Sequence, residues 1–398
     1  MGQQRIIAVV GTGGTIAGCA QNPGDTLNYR AAVRPVQDLL AGLALPPGLA
    51  IEAQQLAQID SKDVTEAHWR ALLQAVQRQL ERPEVQAVLV THGTDTLEES
   101  AFLLQAVLQP PKPVLLVGAM RPSTALLSDG AQNLADALQL AATPGARGVL
   151  VPCAGEIYAG HEVRKLHPHR LDAFGAGDAG ALAALVGGRL QRWRPWPGEG
   201  WSDPPPSPRL LPRLLAAAPW PRVEWLSSHG AQSGALVRAL LLQHAQADGS
   251  EAPLRGLVVA GTGNATLHEA LAQALQQAEQ AGVVVWRCSR IGACVPAGPD
   301  AARWVLGALL GGAGEALDTG ADDAADATAT APTSEGTSVA ATAKAALSGF
   351  AATALPAPQA RLALQLHLLA TEWQKKSPLS LSASARRFSS AKRRTRGR

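Results

Sequence analysis

The chain has 398 residues, 46% of them apolar and 17% charged, which is enough to bury a sizeable core and excludes a chain disordered throughout. Its formal net charge of +3 is uneven: the twenty-six residues from Trp373 on hold nine Lys or Arg and no acid, leaving −6 (3 − 9) for the rest, so the basicity belongs to a tail. Cys19, Cys153, Cys288 and Cys294 have no CxxC spacing, which argues against a disulfide framework or a zinc site and predicts buried thiols in a reducing compartment.

In chain order, strands and helices alternate. Strand patterns are RIIAVV (5–10), a weaker IEAQQLAQI (51–59), VQAVLV (85–90), PVLLVG (113–118) and GVLVP (148–152). Helical patterns fall over 65–81, 96–109 and 129–142, with Thr96 and Glu99 spaced as a capping box. The alternation predicts right-handed crossovers and a mainly parallel sheet. A second series follows: RVEWLSSH, a helix near 233–246, RGLVVAGTG, a helix near 266–281, VVVWRC and a helix near 300–310. The fold class expected is α/β, a larger N-terminal, doubly wound, mainly parallel sheet domain over 1–192 and a smaller C-terminal α/β domain over 223–310 and 355–373. Between them, 193–222 holds nine prolines and four tryptophans and reads as an interdomain linker. Residues 311–354 read as a low-complexity insertion and 374–398 as a solvated basic tail, with nucleic-acid contact not expected beyond that tail. No apolar run of 18 residues or secretory leader pattern is present, so no membrane contact and a cytoplasmic location are expected.

Two strand patterns end in clusters of small hydroxyl residues: VVGTGGTIAG at 9–18 and VLVTHGTDTLEES at 88–100. In open α/β sheets that carboxyl edge is where ligands bind. The glycine loop fails two familiar phosphate-binding tests. A dinucleotide fingerprint starting at Gly11 and Gly13 needs glycine where Ile16 stands, and a P-loop from Gly13 to Gly18 needs lysine where Cys19 stands. What remains is a tight turn at Gly13 and Gly14 that presents Thr12 and Thr15. Thr15 is then either a nucleophile or a turn threonine capping a helix. In the second loop Thr94 and Asp95 stand side by side, and the carboxylate can receive an ammonium group or orient a lysine. His92, at a strand end, reads as a hydrogen-bonded structural residue.

Together GTGGTIAG, THGTDTLEES and VGAMRPSTALLSDG (117–130) closely resemble the bacterial-type L-asparaginases, the asparaginase/glutaminase amidohydrolases. The resemblance implies hydrolysis of L-asparagine to L-aspartate and ammonia by a homotetramer, with no metal or organic cofactor. It also implies sites shared between the N-terminal domain of one subunit and the C-terminal domain of its partner. By position, Thr15 matches the nucleophile and Tyr29 the tyrosine of the lid that helps activate it. Ser61 matches the serine on the substrate α-carboxylate. Thr94, Asp95 and Lys165 match the second threonine, the acid that holds the α-ammonium group, and the lysine that completes their arrangement. Gly14, Lys62, Gly93, Ala119 and Asn264 complete the expected substrate-binding set, with backbone N–H groups of the glycine loop and of the turn near Ala119 as oxyanion donors.

Departures accompany the match. Lys62 stands where glutamine is usual, Thr266 where an asparagine is common, and IGACVPAGPD has no counterpart of the partner subunit's acid. Arg164 and Pro168 also replace smaller or polar residues. Two other readings stay open: glutaminase or another amidohydrolase of the same fold, and a catalytically silent small-molecule binding module in which Thr15 only caps a helix.

Overall fold

The computed structural model describes residues 4–199, 210–245, 252–292 and 350–376, which form two compact units, 1–218 and 219–398. The helix expected near 300–310, nearly all of the 311–354 stretch, the tail beyond 376 and Cys294 lie outside the described residues.

The N-terminal unit opens with β1 (Arg5–Gly13), the short hairpin strands β2 (Cys19–Ala20) and β3 (Tyr29–Arg30), α1 (Val36–Leu40) and β4 (Leu49–Ile59). Next come α2 (Glu66–Leu80), β5 (Val85–Thr91), α3 (Leu97–Leu108), β6 (Pro113–Val117), α4 (Gly130–Ala141) and β7 (Gly148–Cys153). Strands β8 (Glu156–Ala159), β9 (Arg164–Lys165), β10 (Phe174–Gly175), β11 (Ala183–Val186) and β12 (Arg189–Arg192) precede α5 (Leu210–Ala216).

One eight-stranded sheet runs β12-β11-β8-β7-β6-β5-β1-β4. Strands β4, β1, β5, β6 and β7 are parallel, and β8, β11 and β12 extend the edge in antiparallel fashion. The central strands are covered on both faces, which is why they read as unbroken apolar runs rather than as alternation. Ile7, Val9, Leu89, Leu115 and Val117 share one core cluster with Val36 of α1 and Leu134 of α4. Helices α2 and α3 pack on each other and against β5 and β7. The chain leaves β1 toward β4 on one side, whereas α3 carries it from β5 toward β6 on the other. The resulting crevice at the carboxyl ends of β1 and β5 is a topological switch point.

Two local expectations are corrected. Thr96 precedes α3 but its side chain does not cap it; Oγ1 donates to the Ser61 carbonyl at 2.8 Å. The capping box belongs to α2 instead. There the Thr65 hydroxyl accepts from His68 N–H, and His68 Nδ1 accepts from Thr65 N–H at 3.2 Å. Within 193–222, Trp196 is only 4% exposed and joins the N-terminal core, while α5 packs on α2 and α3.

The C-terminal unit is a parallel sheet of β13 (Arg222–Ser227), β14 (Leu254–Gly261), β15 (Val284–Ser289) and β16 (Ala351–Ala352), in that order. Helices α6 (Ala235–Ala245) and α7 (Glu269–Gln280) pack together, and α8 (Ala357–Lys376) crosses β13, β14 and β15. The apolar faces of the sheet, α6 and α7 meet at Val237, Leu257, Val259, Leu271, Leu275 and Val285, with Phe350 beside β16 in the same cluster. No described helix is long and apolar enough to cross a membrane.

Candidate active site

Three loops converge at the carboxyl edge of β1, β4 and β5, and glycines determine how closely. Gly14 has φ 81° and ψ −172°, a region essentially reserved for glycine. A Cβ added there would lie 2.2 Å from Gly93 Cα and 2.3 Å from its nitrogen, so the two loops touch backbone to backbone. A Cβ on Gly93 would in turn meet Ser61 Oγ at 2.6 Å. No larger residue at 14 or 93 allows this approach, and the approach is what brings the Thr15 turn beside the Thr94 turn.

Thr15 opens a single 3₁₀ turn and is 9% exposed. Its Oγ1 lies 2.8 Å from the hydroxyl of Tyr29, which projects from the β2–β3 hairpin through the Ala20–Tyr29 pair. The hairpin is fastened to the 122–126 loop. Ala20 N–H donates to Thr124 Oγ1 at 2.8 Å, Ser123 Oγ–H to the Gly18 carbonyl at 2.7 Å, and Leu126 N–H to the Pro23 carbonyl at 3.1 Å. Its tip is shaped by Asp25, whose carboxylate accepts from the Leu27 and Asn28 amides and is held below the ordinary carboxylate range, chiefly by the Asn28 bond.

On the second loop, Thr94 is 5% exposed and its Oγ1 accepts from Lys165 Nζ at 2.9 Å. The same ammonium group donates to Asp95 Oδ1 at 2.6 Å. The Asp95 side chain is 53% exposed, so this pair is worth little in stability and serves to orient its members. Ser61, 1% exposed, accepts from the Asp95 amide through Oγ at 3.2 Å. Thr12 Oγ1 donates to the Thr91 carbonyl at 2.8 Å and ties β1 to β5 just below the site.

His92 is buried, and its tautomer follows from its neighbours. Trp69 Nε1–H donates to Ser100 Oγ at 3.0 Å, so the Ser100 proton goes to His92 Nε2 at 2.9 Å, and Nδ1–H donates to the Gly93 carbonyl at 2.7 Å. Burial pushes the imidazole below its usual pKa and keeps it neutral. With both nitrogens committed, His92 fixes the Gly93 backbone.

A family model described as "Asparaginase, N-terminal" matches residues 6–196. The chain is 31% identical over 290 residues to the glutaminase-asparaginase of Pseudomonas fluorescens biotype A, covering 72% of this chain and 76% of that one. It is 30% identical over 288 residues to L-asparaginase 2 of Escherichia coli strain K12, covering 72% and 78%. The chain belongs to the bacterial-type L-asparaginase/glutaminase family. The crystal structure of the probable cytoplasmic L-asparaginase of Campylobacter jejuni superposes with a TM-score of 0.63 at 30% identity, covering 74% of this chain and 87% of that one.

In this family member the remaining expected site residues are placed as follows. The Gly14 amide, expected among the oxyanion donors, donates instead to the Ile59 carbonyl at 2.9 Å, so the contribution of Gly14 is steric. Ala119 is buried in a turn whose next two amides, of Met120 and Arg121, are taken by Asp129 at 2.9 and 3.0 Å. Lys62 is turned to Asp63 at 2.5 Å with its side chain 60% exposed, and that bond raises its pKa. Asn264 belongs to the C-terminal unit, exposed in the turn closed by the Thr262–Thr266 bridge.

Sequence reasoning passed over two residues. Asp129 precedes α4 and has the look of a helix cap, yet its carboxylate points back to the 120–121 amides, with Asn133 Nδ2–H bonded to the Gly118 carbonyl at 3.1 Å beside it. Glu98 reads as an ordinary first-turn acid, yet its Oε2 accepts from the Lys165 amide at 2.5 Å. The only signal in either case was an acid next to a functional loop. Among the described residues no group of three or more His, Cys, Asp or Glu could hold a metal ion.

Proposed function

We propose that this chain is an amidohydrolase of asparagine- and glutamine-type substrates, and specifically that it hydrolyses the side-chain amide of L-asparagine to L-aspartate and ammonia with Thr15 as nucleophile. The observation that carries this reading is the pairing of two threonine hydroxyls with two different proton-handling groups on loops in direct contact: Thr15 with Tyr29 at 2.8 Å and Thr94 with Lys165 at 2.9 Å.

A threonine hydroxyl is a weak nucleophile at neutral pH and needs a partner for its proton. The Tyr29 hydroxyl is within reach to relay it, accepting the Thr15 proton while passing its own on, as Thr15 Oγ1 bonds to the amide carbon. The proton passes to the amide nitrogen, the C–N bond breaks and ammonia leaves an acyl-Thr15 ester. Water then attacks that ester carbon, the C–O bond breaks, and the proton returns to Thr15. In this reading Thr94 and Lys165 orient that water, supported by the bond between them. Asp95 engages Lys165 through Oδ1, leaving its second oxygen for the α-ammonium group, and Ser61 is the candidate for the α-carboxylate. A homotetramer with shared sites and a cytoplasmic location belong to the same proposal. Asn264 would then act from the partner subunit.

A glutaminase reading is favoured by one feature of the site, the diversion of Lys62 to Asp63, which removes a polar side chain from its expected place. The relatives' names, glutaminase-asparaginase in Pseudomonas fluorescens, point the same way. The test is ammonia release from L-asparagine, D-asparagine and L-glutamine at equal concentration, by wild type and Thr15→Ala. Fastest turnover of L-asparagine, present only in wild type, is expected. Turnover surviving in Thr15→Ala removes the nucleophile, and no turnover in wild type leaves the binding-module reading.

A further inference from the structure

We propose that Glu98 is a positioning residue that holds Lys165 from its backbone so that its ammonium group reaches Thr94 and Asp95. This rests on the reading that Lys165 serves the reaction through Thr94.

Lys165 needs such a support. It lies on β9, a two-residue strand paired only with the two-residue β10, and the neighbouring ladder bond in that hairpin belongs to Leu166 N–H, which donates to the Ala173 carbonyl at 2.7 Å. The Lys165 amide goes instead to Glu98 Oε2 at 2.5 Å. A lysine side chain has four freely rotating bonds, so a small shift of its backbone is multiplied at Nζ. Productive geometry tolerates only about 0.5 Å of such error.

The source of the support matters as much as its strength. Thr94, Asp95 and Glu98 belong to one continuous segment, the turn after β5 and the first turn of α3. Lys165 is therefore held at both ends, Nζ and backbone N, by the same short segment, and the ring of contacts closes without passing through any other element. Movement of α3 carries lysine and threonine together. Glu98 is itself stiffened by burial, which pushes its carboxyl up to about 7 against the Lys165 amide bond that favours the charged form. Protonated or ionised, the carboxyl retains an oxygen that accepts the Lys165 N–H.

The experiment compares wild type with Glu98→Gln, Glu98→Asp and Glu98→Ala, each also in a Lys165→Met background, reading kcat and KM for ammonia release and the thermal midpoint. Glu98→Ala is expected to lower kcat by about ten-fold or more, with KM within two-fold. Glu98→Asp, one methylene too short, behaves alike and covers the case in which the alanine variant fails to fold. Glu98→Gln keeps an acceptor oxygen at the same reach and recovers most of kcat, which a loss of general stability would not allow. In the Lys165→Met background none of the three changes kcat further. Unchanged kcat in both Glu98→Ala and Glu98→Asp, or losses that add to that of Lys165→Met, overturn the proposal while the role of Lys165 stands. Full activity in Lys165→Met overturns the underlying reading and the proposal with it.

Discussion

Replacing Gly14 by alanine tests the contact on which the whole arrangement depends. Its φ of 81° with ψ −172° costs a side-chain-bearing residue roughly 1–3 kcal/mol. The new Cβ would also stand 2.2 Å from Gly93 Cα, more than 1 Å inside contact, by the ordinary packing distance of about 3.5 Å. The obstacle is backbone, flanked by the His92 relay and by Ser61, so it cannot rotate away. Overpacking of this kind costs roughly 1–3 kcal/mol, which brings the sum to about 2–6 kcal/mol. For a unit spanning 1–218, at roughly 2–4 °C per kcal/mol, the thermal midpoint should fall on the order of 10 °C. Gly42→Ala is the control: its φ is also positive, at 78°, but nothing lies within 4 Å of the added atom, so it reports backbone strain with no collision. Both variants are followed by calorimetry and by ammonia release. Equal midpoints for the two would refute the backbone contact, and so would full turnover in Gly14→Ala.

Burial raises Glu98 to about 7 in the folded protein against an ordinary 4.5, so the folded state binds the extra proton between those values and wild type loses stability as pH rises through that window. Glu98→Gln lacks this slope and should gain up to about 3 kcal/mol relative to wild type between pH 4.5 and 8, on 1.36 kcal/mol per pKa unit; a pH-independent difference in urea unfolding would contradict the burial. Ser100→Ala strips partners from buried Trp69 Nε1 and His92 Nε2 together and should cost about 2–4 kcal/mol in the same assay, with a cost below 0.5 kcal/mol counting against the relay. In a Cys294→Ser background, native protein should be labelled by a thiol reagent at Cys19 alone. Cys153 is buried with its thiol pushed up to about 12, and Cys288 is buried, so modification of either before unfolding would show the packing to be wrong.

The parallel strands were legible because burial on both faces leaves unbroken apolar runs, and the two loops were legible because glycine beside threonine has few uses at a strand end. What sequence could not show is pairing across distance. β9 and β10 have two residues each and no periodicity, and they exist because Lys165 and Phe174 face each other. Proline-rich 193–222 reads as linker by composition, yet within it Trp196 is buried and Pro197 packs on Gly148, a contact invisible to local pattern. The Thr96-x-x-Glu99 spacing suggested a cap, but Ser61, thirty-five residues earlier, offers the Thr96 hydroxyl a carbonyl and draws it away.

The same contrast explains the division of labour in the site. Its two threonine hydroxyls, of Thr15 and Thr94, sit where local sequence is constrained: on turns beside a glycine, immediately after buried strands. Their orientation comes from side chains that local sequence leaves ambiguous, polar residues in or beside the site loops and the first turn of α3 that each bond a backbone group. Asp129 holds the 120–121 amides, His92 holds the Gly93 carbonyl and Glu98 holds the Lys165 amide. A backbone group is a partner at any position, so such bonds place no demand on the identity of the residue they hold and leave no motif at the far end. A substitution at Lys62 can therefore alter what lies beside Asp95 without loosening how Thr15 and Thr94 are held.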